Sequence, residues 1–590
     1  MARSAAASSS MSTAETGAAE GHGGTARRPS IVAGPPLAEE PGLGALTLGG
    51  YLREVTERHG PREALVMHEP AGVTRWTYAE LWDRANEVAR ALHACGLGKG
   101  ERVGVLMTNR PEFLSAVFGT ALAGGVATTI STFSTPAELD YLIQASACSV
   151  LLLERKVLKR DFAETVLAFD PSLSQASAGR IASARFPFLR HIAVIGGTDR
   201  LAGPIEDWLE FLDRGKAVAP AMIEARAATV APADPGVLFF SSGSTAKPKG
   251  ILSAHRGPTL QLWRWGRWYG ADPDDPPRIW SANGFFWSGN FAMALGGALS
   301  TGGSLVLQAT FRPDEAIELI EQEQANMVVA WPHQWEQLIA APNWAGANLS
   351  TLRYADRDSP LAQHPTVTTN YREPKAAYGN TETFTISAIF PANQSDEAIA
   401  GSHGKPCHGN TFKIIEPLSG VTVPLGERGE IAVKGPTLML GYIGIPLDET
   451  LDNEGFLRTG DGGWFDDEGR LYWEGRLNDI IKTGGANVSP VEIDSVIKVH
   501  PQVKVTQTVG VPHDTLGEIV VACIVPHEGA SLDEEAIRGF VREQLASYKV
   551  PRRVLFFAED ELQLTGSAKI KTADLRKLVA ERLAGEMTKG

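Results

Sequence analysis

Two hydrophobic periodicities alternate along the chain and predict a parallel α/β architecture. From Thr77 onward apolar side chains recur at helical spacing, and Thr77 with Glu80 forms a capping box that starts the helix. The short apolar run 102–107 then predicts a buried strand, and a second helix is expected over 113–122. Strand and helix alternate again over 304–331. This order is typical of parallel sheets covered by helices.

The pattern changes along the chain and predicts two domains and a tail. A chain of 590 residues is too long for one hydrophobic core. Residues 1–45 are rich in Ala, Ser, Gly and Thr, so we expect a disordered tail. A large layered domain, with mixed sheets flanked by helices, is predicted over 46–475. More charged sequence over 479–590 predicts a small, mobile α+β domain, in which Ser531 and Glu534 are expected to cap a helix.

Composition and charge exclude several classes of protein. A formal net charge of -14 argues against a nucleic-acid partner. The four cysteines are widely separated, which favours neither a disulfide framework nor a zinc site and fits the cytoplasm. The uncharged stretches 113–137 and 279–311 are dense in Gly, Ser and Thr. We therefore expect packed elements there and no integral membrane segment, which leaves peripheral association open.

The strongest chemical signal is a small, hydroxyl-rich loop that follows the apolar run 237–240. It reads Ser-Ser-Gly-Ser-Thr-Ala-Lys-Pro-Lys-Gly over 241–250. Small residues let backbone N–H groups turn towards one anion, and Lys247 and Lys249 add positive charge. Gly243 and Gly250 are seven positions apart and no Gly-Lys-Ser/Thr follows, which excludes a Walker loop. Alone, the loop is compatible with either a polyphosphate site or a flexible surface segment.

Five further motifs follow this loop in order and make a resemblance specific. They are Tyr-Gly-Asn-Thr-Glu at 378–382, Gly-Glu-Ile at 429–431, Arg-Thr-Gly-Asp at 458–461, Gly-Arg-Leu-Asn-Asp at 475–479 and Thr-Gly-Ser-Ala-Lys at 565–569. The series resembles the AMP-forming acyl-activating superfamily, which includes acyl-CoA and aryl-CoA synthetases, adenylation domains of peptide synthetases, and luciferases. The resemblance covers residues 46 to 577.

The resemblance implies a site for ATP and Mg²⁺. The residues that would hold the outgoing phosphates are Ser241, Ser242, Gly243, Ser244, Thr245 and Lys249. Thr245 is expected to contribute a catalytic hydroxyl. Glu382 would bind Mg²⁺ as a hard oxygen ligand, and Thr381, with Gly379 of the same motif, would touch the α-phosphate.

The rest of the nucleotide would contact three further side chains. Tyr378 is expected to stack on the adenine. Asp461 would accept two hydrogen bonds from the ribose hydroxyls, as the lone pairs of a carboxylate permit, and Arg476 would add a ribose or phosphate contact.

A mobile small domain is also implied. Lys569 would bring its positive charge to the substrate carboxylate and the α-phosphate during adenylation. The hinge is predicted at 476–478, where Asn478 stands in place of the family's usual Asp or Lys. Gly484 and Gly485 would line the tunnel through which the pantetheine arm of CoA reaches the acyl group.

The acid itself is expected to bind beside the segment 283–290. Phe286 and Trp287 are the predicted pocket residues, and burial of hydrocarbon against them favours a fatty, aryl or steroid-like acid over acetate. The implied function is therefore that of an AMP-forming acyl-CoA synthetase, an ATP-dependent acid–thiol ligase that uses CoA as co-substrate. The segment is also compatible with ordinary core.

Two other functions stay open on the sequence. One is an adenylation enzyme that loads a carrier protein in trans. The other is a catalytically degenerate acyl- or nucleotide-binding homologue, which is favoured by three departures from the family pattern. Ala246 and Ala568 stand where glycine is usual, and the expected Gly-Gly is missing from 351–360.

Overall fold

The computed structural model describes residues 28–199, 201–241, 247–477, 481–558, 561 and 572–587. It confirms the predicted α/β fold, with a large layered N-terminal part and a small C-terminal α+β part. The apolar run 102–107 is the strand Arg102–Leu106, and the capping box of Thr77 and Glu80 starts the helix Tyr78–Ala94 as predicted.

The largest sheet has eight strands, and six of them are parallel to their neighbours. In spatial order the strands are Ile205–Asp207, His191–Ile195, Val150–Glu154, Arg102–Leu106, Val126–Thr129, Pro235–Ser241, Lys249–Ala254 and Gly441–Tyr442. The last two are antiparallel to their neighbours. The strands in the middle of the sheet are almost wholly buried, as expected for a parallel sheet covered on both faces.

A second sheet has five strands and is parallel except at one edge. Helices pack between this sheet and the first. Its strands in order are Met327–Val329, Arg278–Ser281, Ser304–Leu307, Glu63–Glu69 and Gly72–Thr77. The helices of the N-terminal part are Leu48–His59, Tyr78–Ala94, Pro111–Leu122, Pro136–Ser146, Phe162–Phe169, Trp208–Arg214, Pro220–Ala228, Arg256–Trp268, Ser288–Asn290, the π-helix Phe291–Leu295, Gly296–Leu299, Pro313–Gln322, Pro332–Ile339 and Asp396–Ile399.

Antiparallel sheets complete the N-terminal part. A five-stranded sheet contains Ile31–Ala33, Thr411–Ile415, Gly429–Lys434, Leu457–Phe465 and Leu471–Arg476. Shorter strands form two small sheets, namely Ala377–Tyr378, Ala388–Ile389 and Lys405–Pro406, and the hairpin Lys156–Val157 with Arg160–Asp161. Single 3-10 turns occur at Leu37–Glu39, Leu173–Gln175, Gly215–Ala217, Trp344–Gly346, Pro360–Gln363, Thr381–Thr383, Leu447–Glu449 and Ser547–Lys549.

The C-terminal part is built on a separate sheet. Its strands are Ile481–Thr483, Ala486–Val488, Val503–His513, Gly517–Pro526 and Arg553–Phe556, and its helices are Pro490–Ile497, Glu534–Arg542 and Thr572–Met587. The chain passes from one sheet system to the other between Arg476 and Ile481, the region of the predicted hinge.

Two predictions about local structure are wrong. Residues 28–45 are not a disordered tail, because Ile31–Ala33 pairs with a distant strand and Glu40 is buried between the guanidinium groups of Arg264 and Arg267, each 2.7 Å away. The helix at 534 begins with Asp533 as its cap, whose side chain accepts a hydrogen bond from Ala536 N. Asp533 takes the place predicted for Ser531 because a carboxylate immediately before the helix satisfies the free N–H groups directly.

The two long uncharged stretches form packed elements, as the sequence predicts. The first contains the helix Pro111–Leu122 and the strand Val126–Thr129, both buried in the core. Among the described residues, no helix combines the length and the apolar character needed to cross a membrane.

Candidate active site

The predicted phosphate loop begins where a central strand ends. The strand Pro235–Ser241 pairs antiparallel with Lys249–Ala254, so Ser241 and Lys249 lie opposite each other at the carboxyl end of a strand that is parallel to its other neighbour. Lys247 Nζ lies 5.0 Å from the ring centroid of Tyr141, whose hydroxyl donates to Pro248 O at 3.0 Å. The phosphate role of this loop stays a prediction, since five of its residues lie outside the described part of the chain: Ser242, Gly243, Ser244, Thr245 and Ala246.

The candidate metal ligand is joined to the base of this loop. Glu382 and Thr381 lie in the turn Thr381–Thr383, and Glu382 Oε1 accepts a 2.7 Å hydrogen bond from the Tyr442 hydroxyl. Lys249 Nζ lies 4.8 Å from the centroid of the same ring. Burial, together with the negative charge of Glu382, raises the pKa of Tyr442 far above its ordinary value. The phenol therefore remains a donor, and it fixes the carboxylate.

Asp461 lies at the centre of a buried polar cluster. Its Oδ2 accepts a 2.8 Å hydrogen bond from the Tyr378 hydroxyl, and its Oδ1 accepts one of 3.2 Å from Trp473 Nε1. Arg476 Nε lies 3.1 Å from Oδ1, and the aspartate is only 3% exposed. Burial, with the Asp461 charge, raises the pKa of Tyr378 well above its usual value. The sequence predicted the Tyr378 ring as an adenine platform; in the structure its hydroxyl orients Asp461, and the stacking role stays a prediction.

A strained backbone follows the candidate metal ligand. Phe384 and Thr385 have φ angles of 48° and 79°, in the left-handed region that β-branched and aromatic residues rarely adopt. A Cβ built on Gly379 would lie 1.6 Å from the carbonyl oxygen of Thr385. Only glycine therefore fits at 379, and strain of this kind is concentrated at ligand sites.

A cavity of about 420 Å³ brings several predicted site residues together. This size is within the range of small-molecule sites. Members predicted from the sequence are Ser241, Phe286, Trp287, Gly379, Thr381, Gly484 and Gly485. Asn283 and Asn380 come from the predicted segments 283–290 and 378–382, and the other members, which were not predicted, are mainly aromatic or polar, namely Phe133, Phe239, Phe240, Trp331, Gln334, Thr385 and Tyr548. The nucleotide motif, the predicted acyl wall and the predicted CoA segment thus face one space.

The predicted acyl wall is aromatic, and only part of the predicted segment belongs to it. The ring of Phe286 meets that of Phe133 edge to face at 5.6 Å, and the ring of Trp287 meets that of Tyr548 at 5.6 Å. Phe285 instead packs in the core against Phe113 and is 1% exposed. Tyr548 comes from the C-terminal part, which therefore closes the wall from the other side.

Gly484 and Gly485 both have positive φ angles, and at Gly485 no side chain fits. Their φ angles are 55° and 79°. A Cβ on Gly485 would lie 2.8 Å from an atom of the Trp331 indole, well inside contact distance. Trp331 was not among the predicted site residues; the signal for it was its place directly after the strand Met327–Val329, at the carboxyl edge of a parallel sheet.

A buried ion cluster docks the C-terminal part on the N-terminal part. Lys549 Nζ lies 2.9 Å from Glu138 Oε1 and 2.8 Å from Glu492 Oε1, and all three side chains are at most 8% exposed. Next to it, Thr135 Oγ1 donates to the backbone carbonyl of Gln544 at 2.9 Å. Sequence reasoning missed this cluster because its members are distant in sequence. Tyr548, the chain neighbour of Lys549, lines the cavity.

Lys482 makes a second contact between the two parts. Its Nζ lies 3.1 Å from the ring centroid of Trp473, the residue that donates to Asp461. Lys482 is exposed as a whole, and partial desolvation against this ring, opposed by the charge of Asp461, lowers its pKa. The strand that carries the predicted CoA segment is thereby tied to the ribose-binding candidate.

Lys569, the predicted catalytic cation, and Asn478, the predicted hinge, lie outside the described residues. The same holds for Ala246 and Ala568.

Together, these features define an enzyme in which a nucleotide motif and an aromatic cavity meet under a small second domain. The sequence model of the AMP-binding enzyme family matches residues 52–443, and that of the AMP-binding enzyme C-terminal domain matches residues 492–569. The chain therefore belongs to the AMP-binding enzyme family, as its motifs indicate.

Relatives and solved structures match over most of their length. The chain is 30% identical over 587 residues to acyl-CoA ligase SID4 of Ajellomyces capsulatus, covering 94% of each protein. It is 30% identical over 538 residues to feruloyl-CoA synthase of an Amycolatopsis species, covering 88% of this chain and 96% of the relative. The amide bond synthetase McbA from Marinactinospora thermotolerans is similar in structure, with a TM-score of 0.68, 25% identity, and coverage of 90% of this chain and 99% of that one.

Proposed function

We propose that this protein is an AMP-forming acyl-CoA synthetase that acts on an apolar fatty, aryl or steroid-like carboxylic acid. The observation that carries the proposal is the single cavity that Thr381, the aromatic pair Phe286 and Trp287, and the glycines Gly484 and Gly485 all line. The reaction needs an adenylating group, a wall for the acyl part and an entrance for the CoA thiol, all close to the carboxyl carbon of the acid. This cavity offers candidates for all three.

Two reactions would follow one another. A carboxylate oxygen of the acid attacks the α-phosphorus of ATP, and pyrophosphate leaves. The CoA thiol then attacks the acyl carbon of the mixed anhydride, the C–O bond to phosphate breaks, and AMP leaves. A carboxylate is already an anion, so the first step needs alignment and charge neutralisation more than a general base.

Asp461 would bind the ribose and is suited to that task before the nucleotide arrives. Tyr378, Trp473 and Arg476 fix both of its oxygens, and each oxygen keeps lone-pair capacity for a ribose hydroxyl. Because these partners are in place, little reorganisation would oppose binding.

Glu382 is the candidate ligand for Mg²⁺, which when bound would neutralise phosphate charge. Among the described residues no cluster of three His, Cys, Asp or Glu side chains could hold a metal, so Glu382 would share the ion with phosphate oxygens of ATP. The chemistry fits, since the Tyr442 hydrogen bond engages Oε1 and the carboxylate has further lone pairs on Oε2.

The test is acid-dependent release of AMP and pyrophosphate, with and without CoA, over short, long, aryl and steroid-like acids. A thioester product that requires CoA supports the proposal. Adenylate formation without any use of CoA would favour loading of a carrier protein, or transfer to an amine such as the name of McbA suggests, and absence of turnover with every acid would favour a non-catalytic homologue.

Lys569 supplies a second test of the same proposal. We expect Lys569→Ala to abolish ATP–pyrophosphate exchange but to leave transfer of a preformed acyl-adenylate to CoA. Normal exchange by this variant would contradict the role of the lysine.

A further inference from the structure

Asn283 lines the 420 Å³ cavity and carries an unpaired amide donor. Its Nδ2 atom is buried and, within the described part of the chain, has no hydrogen-bond partner. Most buried polar atoms in proteins are paired, and an unpaired donor carries the full cost of desolvation. A ligand with an acceptor atom at this place would remove that cost.

The orientation of this amide is fixed by a short relay of hydrogen bonds. Trp331 N donates to Gln334 Oε1 at 2.9 Å, and Gln334 Nε2 donates to Asn283 Oδ1 at 3.2 Å. The hydrogen bond from Trp331 N fixes the orientation of the Gln334 amide, with its NH₂ group towards Asn283. If the Asn283 amide were flipped, its own NH₂ group would face that of Gln334. The relay therefore keeps Nδ2, a donor, as the unpaired atom.

The backbone that carries Asn283 is also anchored. Its carbonyl oxygen accepts hydrogen bonds from Asn109 Nδ2 at 2.6 Å and from Asn290 Nδ2 at 2.5 Å. A rigid donor is suited to selecting a ligand, because little side-chain freedom is lost on binding.

A second residue that lines the cavity also carries an unpaired polar atom. Thr385 Oγ1 is buried and has no partner among the residues that the structure describes, and Thr385 is 9% exposed. The remaining wall is largely aromatic, including Phe286 and Trp287. The cavity thus combines apolar surface with two isolated polar atoms, a combination that a plain hydrocarbon would leave unsatisfied.

We propose that Asn283 is a specificity-determining residue whose Nδ2 donates a hydrogen bond to an oxygen substituent on the acyl part of the acid. The preferred substrates are then oxygenated aromatic or alicyclic acids, with a hydroxyl, ether or oxo group distant from the carboxylate. This inference rests on the proposed function. It assigns the amide to the acid because Asn283 shares its cavity with the acyl wall and with Gly379 and Thr381.

The experiment compares matched pairs of acids in the wild type and in Asn283→Leu. Suitable pairs are benzoic and 4-hydroxybenzoic acid, cinnamic and 4-hydroxycinnamic acid, and 3-cyclohexylpropanoic and 3-(4-oxocyclohexyl)propanoic acid. We expect the wild type to favour the oxygenated member of at least one pair by about tenfold to hundredfold in kcat/KM, and the variant to lose that preference. Asn283→Asp, which keeps the shape but not the donor, should lose it too.

A methyl ether and a relay variant sharpen the test. The 4-methoxy acid should keep the wild-type preference, since the ether oxygen accepts but does not donate. Gln334→Leu should reduce the preference less than Asn283→Leu does, because it removes the group that orients the amide and leaves the donor. The CoA concentration dependence is measured for every variant.

The outcomes separate this inference from the proposed function. Wild-type turnover with an unchanged ratio of oxygenated to plain acid in Asn283→Leu overturns the inference alone. A raised KM for CoA that is equal for all acids also overturns it, because the amide would then bind the pantetheine arm. Failure of the wild type to form any acyl-CoA overturns the proposed function instead.

Discussion

The candidate site has a nucleotide half, around Asp461 and Glu382, and an acyl half, the cavity wall around Asn283, and the two differ in how these polar atoms are satisfied. In the nucleotide half, Asp461 and Glu382 already have protein partners, supplied by Tyr378, Trp473, Arg476 and Tyr442. In the acyl half, Asn283 Nδ2 has none among the described residues.

This difference separates alignment from selection. A ligand that is always the same is bound best by groups held in place beforehand, since no reorganisation opposes binding. A site that must distinguish between similar acids gains by leaving a polar atom unpaired, because the wrong acid then buries that atom without a partner. The predictions below change one half, or the contact between the domains, and leave the rest intact.

The largest effect is expected for Asp461→Asn. The change removes the buried negative charge that faces Arg476, and it replaces one acceptor oxygen by an NH₂ donor. Breaking a buried ion pair costs about 3 to 5 kcal/mol. ATP–pyrophosphate exchange should fall by about a hundredfold to a thousandfold. Tyr378→Phe is the control, because it removes only one donor to Asp461 and should cost about tenfold. Equal, small losses in both variants would contradict a ribose-binding role.

The next largest effect is expected for Gly485→Ala. The added Cβ meets the Trp331 ring at 2.8 Å, so the segment must move, and a displacement of about 1 Å in a reacting site can cost a hundredfold in rate. Transfer of the acyl group from a preformed adenylate to CoA should therefore slow by about that factor, with pyrophosphate exchange nearly unchanged.

Gly529→Ala is the matched control for this variant. Gly529 belongs to the same domain and has a similar φ angle of 78°, but an added Cβ there meets nothing within 4 Å. Both variants carry the backbone strain, and only the first carries the clash. If they slow thioester formation equally, the contact with Trp331 is not the cause.

The smallest effect is expected for Glu138→Gln. Lys549 keeps Glu492, so one neutral ion pair remains where two carboxylates shared one ammonium group. Glutamine also preserves the capping box that Glu138 forms with Thr135. We expect the docked arrangement to weaken by about 1 to 2 kcal/mol and acyl transfer to slow by about tenfold, measured in a single turnover.

Glu535→Gln, in an exposed ion pair with Arg542, should change the rate by less than about threefold. A larger loss in pyrophosphate exchange than in acyl transfer would contradict this docking role.

Residues with a fixed place in a short motif could be predicted from the sequence, and residues defined by long-range packing could not. Thr381, Gly379 and Gly485 were found because their motifs fix residue type and spacing, and the structure brings them to one cavity. Glu138 and Lys549 are 411 positions apart, and the glutamate also forms a local capping box with Thr135.

The same reason explains the errors at the N-terminus and in the acyl wall. Glu40 seemed part of a polar tail because its partner Arg264 is more than two hundred positions away. Phe285 and Phe286 are adjacent and chemically identical, and only the tertiary packing puts one in the core and the other at the cavity.

The central claim is that the acid becomes reactive by forming an anhydride with AMP. It is tested most directly with an acid whose carboxylate carries ¹⁸O, incubated with ATP, Mg²⁺ and CoA. The account predicts one ¹⁸O atom in the released AMP. The carboxylate oxygen that attacked phosphorus stays bound to it when the thiol displaces AMP from the acyl carbon. Unlabelled AMP, or label in inorganic phosphate with formation of ADP, would contradict it.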